Sequence, residues 1–154
     1  MTERETDHKT RSAGGYNPEE LQFQIKNAFS GQSEEHQFEV QLLGRHFLHA
    51  AANGFAKRIE PYLEHGMPVN FQESSTGQTA LHVAASSRAR KIVKRLVATG
   101  EVDFLIRDRQ GRLASEHANL FGRDPVLARY LGIKERKQAD AQGIRLTRRP
   151  EPVP

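Results

Sequence analysis

The sequence contains no cysteine and no tryptophan. Without thiols there is no disulfide framework, no thiolate nucleophile and no Cys-ligated zinc. No apolar run approaches the ~18–20 residues that span a bilayer, which argues against membrane insertion. The opening MTERETDHKTRSAGG is too polar for a secretory signal. The glycine-rich, nucleophile-elbow and zinc-helix patterns G-x-G-x-x-G, G-x-S-x-G and H-E-x-x-H are missing, as is a P-loop. His46 and His49 stand i, i+3 on a predicted helix, but no third ligand follows in register. Glu60 and Glu64 form an i, i+4 carboxylate pair, the ordinary make-up of a solvated helix face. No cofactor, no metal and no catalytic residue is implied. The expectation is a non-enzymatic protein of the cytoplasm.

What is present suits one domain: 154 residues, 36% of them hydrophobic, with a net charge of +4. The charge is uneven, −3 over residues 1–35, +4 over 36–133 and +3 over 134–154. A sequence pI of 9.6 suits an acidic partner, yet +4 on this length is modest for a nucleic-acid binder.

The strongest signal is an internal period of 34 residues, which returns Ala50, Ala84 and Ala118, then Ile59, Val93 and Leu127. Tyr62, Leu96 and Tyr130 follow, then Leu63, Val97 and Leu131, and Gly66 recurs as Gly100. Ile92, Val93, Leu96 and Val97 keep helical spacing, as do Val126, Leu127, Tyr130 and Leu131. Each unit reads as a helix pair that buries its apolar face only by stacking on a neighbour. The stretches MPVNFQESSTGQ and EVDFLIRDRQGR between units are too long for the tight turns of tetratricopeptide repeats.

Gly77-Gln78-Thr79-Ala80-Leu81-His82-Val83-Ala84-Ala85 resembles the G-x-T-P-L-H-x-A-A signature of ankyrin repeats. Looser copies lie at Phe47–Gly54 with Leu63–Gly66, and at Asp108 to Leu131 with Leu113-Ala114-Ser115-Glu116 in place of T-P-L-H. The resemblance covers Leu42 to Gly132 and implies an all-α solenoid of about three repeats in a short protein of bacterial type. Within it, Thr79 starts a helix, His82 bonds a neighbouring turn while neutral, and Asp124-Pro125 opens another helix. Pro61 falls inside a helix and removes one of its backbone bonds.

The expected organisation is a disordered N-terminus over 1–16 and a helical cap over 17–43, carrying Leu21, Ile25, Ala28 and Phe29 on one face. Repeats follow over 44–132, divided at 44–76, 77–110 and 111–132, then a C-terminal extension and mobile basic tail over 133–154. Gly132 is expected to close the last repeat.

The resemblance implies a protein-interaction module, an adaptor or inhibitor, that holds another protein on its concave face. Carried over by position, the contact residues are Ser75, Thr76, Gln78, Ser86 and Ser87, then Arg109, Gln110, Arg112, Leu120 and Phe121. Their arginines suit an acidic surface on the partner; the alternative for Phe121 is burial against the C-terminal extension. The chain is expected to act as a monomer. A secreted effector or immunity-type protein is a second reading. A third is a binder of nucleic acid or anionic surfaces through Arg88, Arg90, Lys91, Lys94 and Arg95 together with the basic tail.

Overall fold

The computed structural model describes residues 17–29 and 34–146, and both expected terminal tails therefore lie largely outside the described residues. Asn17 is itself extended, and its Oδ1 accepts from Glu19 N at 3.0 Å and Glu20 N at 3.4 Å. With Pro18 behind it, this cap starts α1, Pro18–Ala28. Six helices follow: α2 Glu34–Ala52, α3 Ala56–Glu64, α4 Ala80–Ser86, α5 Arg90–Ala98, α6 Ala114–Leu120 and α7 Pro125–Gln142. There is no strand among the described residues, and no helix among them is long and apolar enough to cross a membrane.

The pairs α2/α3, α4/α5 and α6/α7 stack in chain order through their first helices, α2 on α4 and α4 on α6. Close approach is possible because Ala51, Ala80, Ala84, Ala85 and Ala118 present only a methyl group, each fully buried. The second helices supply the bulk of the core through Ile59, Ile92, Val93, Leu96 and Leu131, all at 0% exposure. Thr79 caps α4 reciprocally, its hydroxyl accepting from His82 N while His82 Nδ1 accepts from Thr79 N. Pro61 stands inside α3, buried, and the helix runs on through it to Glu64.

The second helix of the third repeat departs from the 34-residue register. Gly54 and Arg88, at φ 71° and 57°, hold the left-handed turn before α3 and α5, and the third such residue is Arg123 at φ 49°. That last step is 35 residues, so one residue is inserted between Ala118 and Asp124. Leu127 consequently takes the place of Ile92, and Leu131 that of Leu96. The expected stripe is corrected: Val126 is 65% exposed and Tyr130 37%, because both lie on the outer side of α7. Gly122 absorbs the inserted residue. A Cβ there would stand 2.5 Å from the Ala85 carbonyl oxygen and 2.9 Å from that of Ala118.

Both ends of the stack differ from the expected divisions. The position 43/44 falls inside α2, whose first helical turns reach well beyond the length of α4 and α6. Gly44 lets the Phe71 ring lie flat on that helix, where a Cβ would collide at 2.0 Å. Leu21, Ile25 and Ala28 of α1 are buried against α2 and α3, whereas Phe29 is 41% exposed and leaves the apolar face. At the other end Gly132 lies inside α7, which runs on to Gln142 and ends at Gly143 with φ 68°.

The loops between repeats stack as a ladder. Asn70 accepts from Asp103 N and donates to the Glu101 carbonyl, both at 2.9 Å. One step further, Gln138 accepts from Phe104 N and donates to Asp103 Oδ1, both at 2.8 Å. A helical side chain thus satisfies the last loop, where a further loop would otherwise do so.

Candidate partner-binding site

Thr76 O accepts from Arg109 N at 3.0 Å, so the two loop tips are joined. The first tip is built on Glu73, whose carboxylate accepts from Ser75 Oγ at 2.6 and 2.7 Å and from Thr76 N and Oγ1 at 2.9 Å. The Ser75 bond above all, with those from Thr76, holds the Glu73 carboxyl down at about 2 against the opposing effect of burial. Ser75 and Thr76 are exposed, but their hydroxyls serve the turn. Gln78 is half-buried, with its N donating to Thr76 Oγ1 at 3.2 Å.

The second tip is built on Asp108. Burial works to raise its carboxyl, and the bonds it receives prevail: Arg112 N and Gln110 N at 2.9 Å, and His117 Nε2 at 2.7 Å. The other ring nitrogen of His117 shares a hydrogen bond with Ser86 Oγ at 2.7 Å. Ser86, expected to face a partner, therefore ties α4 to α6. Its series with His117 and Asp108 has the residue types of a nucleophile relay. The His117 ring, however, is 1% exposed and sits between His82 and Phe121, with ring centroids at 5.0 and 5.2 Å. A substrate reaching the serine has no access to that base, so the series acts as a structural staple.

His82 is fixed in one tautomer. Nδ1 accepts from Thr79 N, so Nε2 carries the proton and donates to the Arg112 carbonyl at 3.0 Å. Burial, then the neighbouring His117, pushes its pKa down to about 4, and the ring stays neutral. His49 does not share this role. Leu48, not His49, precedes His82 by one period, and His49 is exposed and bonded only locally, to Asn53 at 3.3 Å. His117 escaped the sequence reading because the signature histidine position of its repeat is taken by Glu116, whose Oε1 accepts from Leu113 N at 3.1 Å.

Four of the expected residues remain open to solvent with no such structural tie in their side chains, Ser87, Arg109, Leu120 and Phe121, while the exposed Gln110 and the half-buried Arg112 bond only each other through their side chains. Leu120 is 49% exposed and Phe121 52%, which overturns the burial of Phe121 against the C-terminal extension. The Arg112 guanidinium lies 5.3 Å from the Phe121 ring centroid and donates to Gln110 Oε1, while its Nε is buried without a hydrogen-bond partner. Neither Arg109 nor Arg112 enters an ion pair among the described residues.

The basic set on α5 is less available than its sequence suggests. Arg90 clamps Asp124 with two bonds of 2.7 Å, and Arg95 Nε reaches Glu60 at 2.6 Å, so both bridge neighbouring repeats. Arg88, Lys91 and Lys94 are exposed. Among the described residues no group of three His, Asp or Glu side chains could hold a metal.

Comparison with known proteins agrees with this geometry. A family model described as "Ankyrin repeats (3 copies)" matches residues 14–131. The chain is 35% identical over 101 residues to Rabankyrin-5 of Homo sapiens, covering 62% of this chain and 8% of that protein. It is 36% identical over 89 residues to diacylglycerol kinase iota of Rattus norvegicus, covering 56% of this chain and 8% of that protein. The chain thus spans under a tenth of the length of these curated relatives. With three stacked helix pairs, ladder-bonded loops and a family match over most of its length, the chain belongs to the ankyrin-repeat family.

Proposed function

We propose that the protein is a non-enzymatic interaction module, an adaptor or inhibitor, that holds an acidic partner protein on the side formed by its first helices and loop tips. The observation that carries this reading is the cluster Arg109, Arg112, Leu120 and Phe121. Arg112 lies over the exposed Phe121 ring, whose chain neighbour Leu120 is exposed too, Arg109 belongs to the same loop as Arg112, and neither arginine has an acidic partner among the described residues, the mixture found at interface hot spots. Solvent alone gives such a cluster no compensation for its apolar area. The anionic-surface reading is weaker, since two of its five cations are spent on Asp124 and Glu60.

The test is capture of partners from lysate by the full chain, with nuclease and salt controls. Arg109→Glu with Arg112→Glu should remove a captured protein that survives nuclease and moderate salt, with thermal unfolding nearly unchanged. Lys91→Glu with Lys94→Glu is the proper control, because Arg90→Glu would strand the buried Asp124. Loss of capture with the α5 pair alone would refute the assignment of the face.

A further inference from the structure

Along the outer side of α7, Val126, Tyr130 and Ile133 recur at i, i+4 and i+7, all three exposed, with Ile133 at 51%. Lys137 continues the line one turn further. Arg129 and Arg136 are exposed along one edge of this stripe. Lys134 lies along the other, its Nζ 5.7 Å from the Tyr130 ring centroid. None of these four cations enters an ion pair among the described residues, and Asp140 is the one exposed acid of the helix. The basic character carries over to α5. Between the first two repeats Glu60 and Arg95 pair at 2.6 Å. One repeat on, the same two places are held by Lys94 and Tyr130, so the acid is gone, and Lys91 and Lys94 are both exposed.

We propose that this face docks on the surface of a bilayer rich in anionic phospholipid, with α7 lying in the plane of the interface. Val126, Tyr130 and Ile133 enter the headgroup layer, while Arg129, Lys134, Arg136 and Lys137 reach the phosphates beside them on their long stems. Unpaired cations on both edges of the stripe call for an anionic occupant. Composition and shape make it a lipid one. Protein interfaces are poor in lysine and close around a packed apolar core. Here Lys91, Lys94, Lys134 and Lys137 surround three apolar side chains on the ridge of a single helix, too few to fill such a core. A bilayer needs no matching shape, and each Lys or Arg near it adds to the attraction. On α5 alone two of five cations are tied to acids; α7 supplies what that helix lacks, unpaired cations beside exposed apolar groups. The helix is not long and apolar enough to cross a membrane, so the contact stays at the surface. Leu127, Leu131 and Glu135, on the opposite side of α7, are buried towards α6. A chain docked in this way therefore keeps Arg109, Arg112 and Phe121 open to a protein partner.

The experiment is co-sedimentation of the full chain with vesicles in low salt. One set is phosphatidylcholine alone, the other phosphatidylcholine with phosphatidylserine at about two to one. The chain should bind the second set and not the first, and should be released as salt rises to about 0.5 M. Lys134→Glu with Lys137→Glu should weaken binding about tenfold or more. Val126→Ser with Ile133→Ser changes no charge and should also weaken it about tenfold. Both pairs lie outside the core, so thermal unfolding in solution should stay nearly unchanged. Arg109→Glu with Arg112→Glu should leave vesicle binding as it was, which keeps this test separate from that of the protein-binding face. The chain has no tryptophan, so Ile133→Trp supplies a single reporter. Its emission should shift to the blue on phosphatidylserine vesicles, whereas that of Phe121→Trp should not. Equal binding to both sets, binding to neither, or binding that the Val126 and Ile133 pair leaves intact overturns the proposal. Capture of a protein that the Lys134 and Lys137 pair abolishes, without vesicle binding, gives the face to an acidic protein and overturns it as well.

Discussion

Two buried side chains make stability depend on pH in opposite directions. His82 has a native pKa of about 4 against an ordinary 6.5. Between those values the unfolded chain takes up a proton that the native ring refuses, so stability falls as pH drops from 6.5 towards 4. A shift of this size corresponds to about 3 kcal/mol. Glu135 lies in α7 at 3% exposure, accepting from Ser115 N at 3.0 Å and Ser115 Oγ at 2.6 Å. Burial raises its pKa to about 6 despite those bonds. Here the unfolded chain gives up its proton first, and stability falls as pH rises from 4.5 towards 6. Denaturant midpoints measured between pH 4 and 8 should separate the two. His82→Gln should remove the loss between pH 6.5 and about 4.5, below which the lowered carboxyls of Glu73 and Asp108 add their own, and Glu135→Gln should remove the opposing loss as pH rises from 4.5 to 6. An unchanged limb in either variant would mean that its group titrates normally in the native state.

At the scale of the helices, the single inserted residue before α7 is the feature with the sharpest consequence. Gly122 has backbone oxygens from Ala85 and Ala118 where a side chain would go, so Gly122→Ala should cost about 1–3 kcal/mol in denaturant unfolding. Gly132 is the contrast, a mid-helix glycine whose nearest atom to an added Cβ is the tip of Arg136 at 3.6 Å. Gly132→Ala should therefore stabilise the protein by about 0.5–1 kcal/mol, from helix propensity. A destabilised Gly132→Ala would mean that the helix turns there after all. These two glycines also mark the limit of what could be read from the sequence. The core of the second repeat was legible because Thr79, His82, Ile92, Val93 and Leu96 all obey local rules of capping and period. The third repeat was not, because sliding α7 by one residue exchanges Tyr130 for Leu131 as the core residue without breaking helical spacing. Helix length was likewise hidden: whether α2 and α7 stop at a repeat boundary is decided by distant loops, through Phe71 packed on α2 and through the Asp103–Phe104 loop that Gln138 of α7 bonds. At the candidate site, residue positions were legible but not their duties, since Ser75, Thr76 and Ser86 differ from Ser87 only in the acid or histidine that folding brings to them.

At the scale of the whole molecule, the question is how a stack of three repeats ends. Each repeat leaves apolar surface and unpaired loop amides for the next one to cover, so a short stack depends heavily on its last layer. Here that layer is the continuation of α7 beyond Gly132. Glu135 and Ala139 are buried at 3% and 2%, Gln138 completes the loop ladder, and Ser115 at the start of α6 has both its amide and its hydroxyl bonded to Glu135. Removing residues 133–154 would leave the amides of Phe104 and Ser115 without those partners and expose the covered core edge. The melting temperature should fall clearly, and with nearest-neighbour coupling the damage should reach α4 through the His82–Arg112 bond. Hydrogen exchange locates the effect. In the truncated chain the amides of α6 should lose protection first, those of α4 next, and those of α2 least, since α2 remains covered by α1 at the opposite end. Uniform loss of protection in all three would instead describe a single cooperative unit whose ends are not distinguishable.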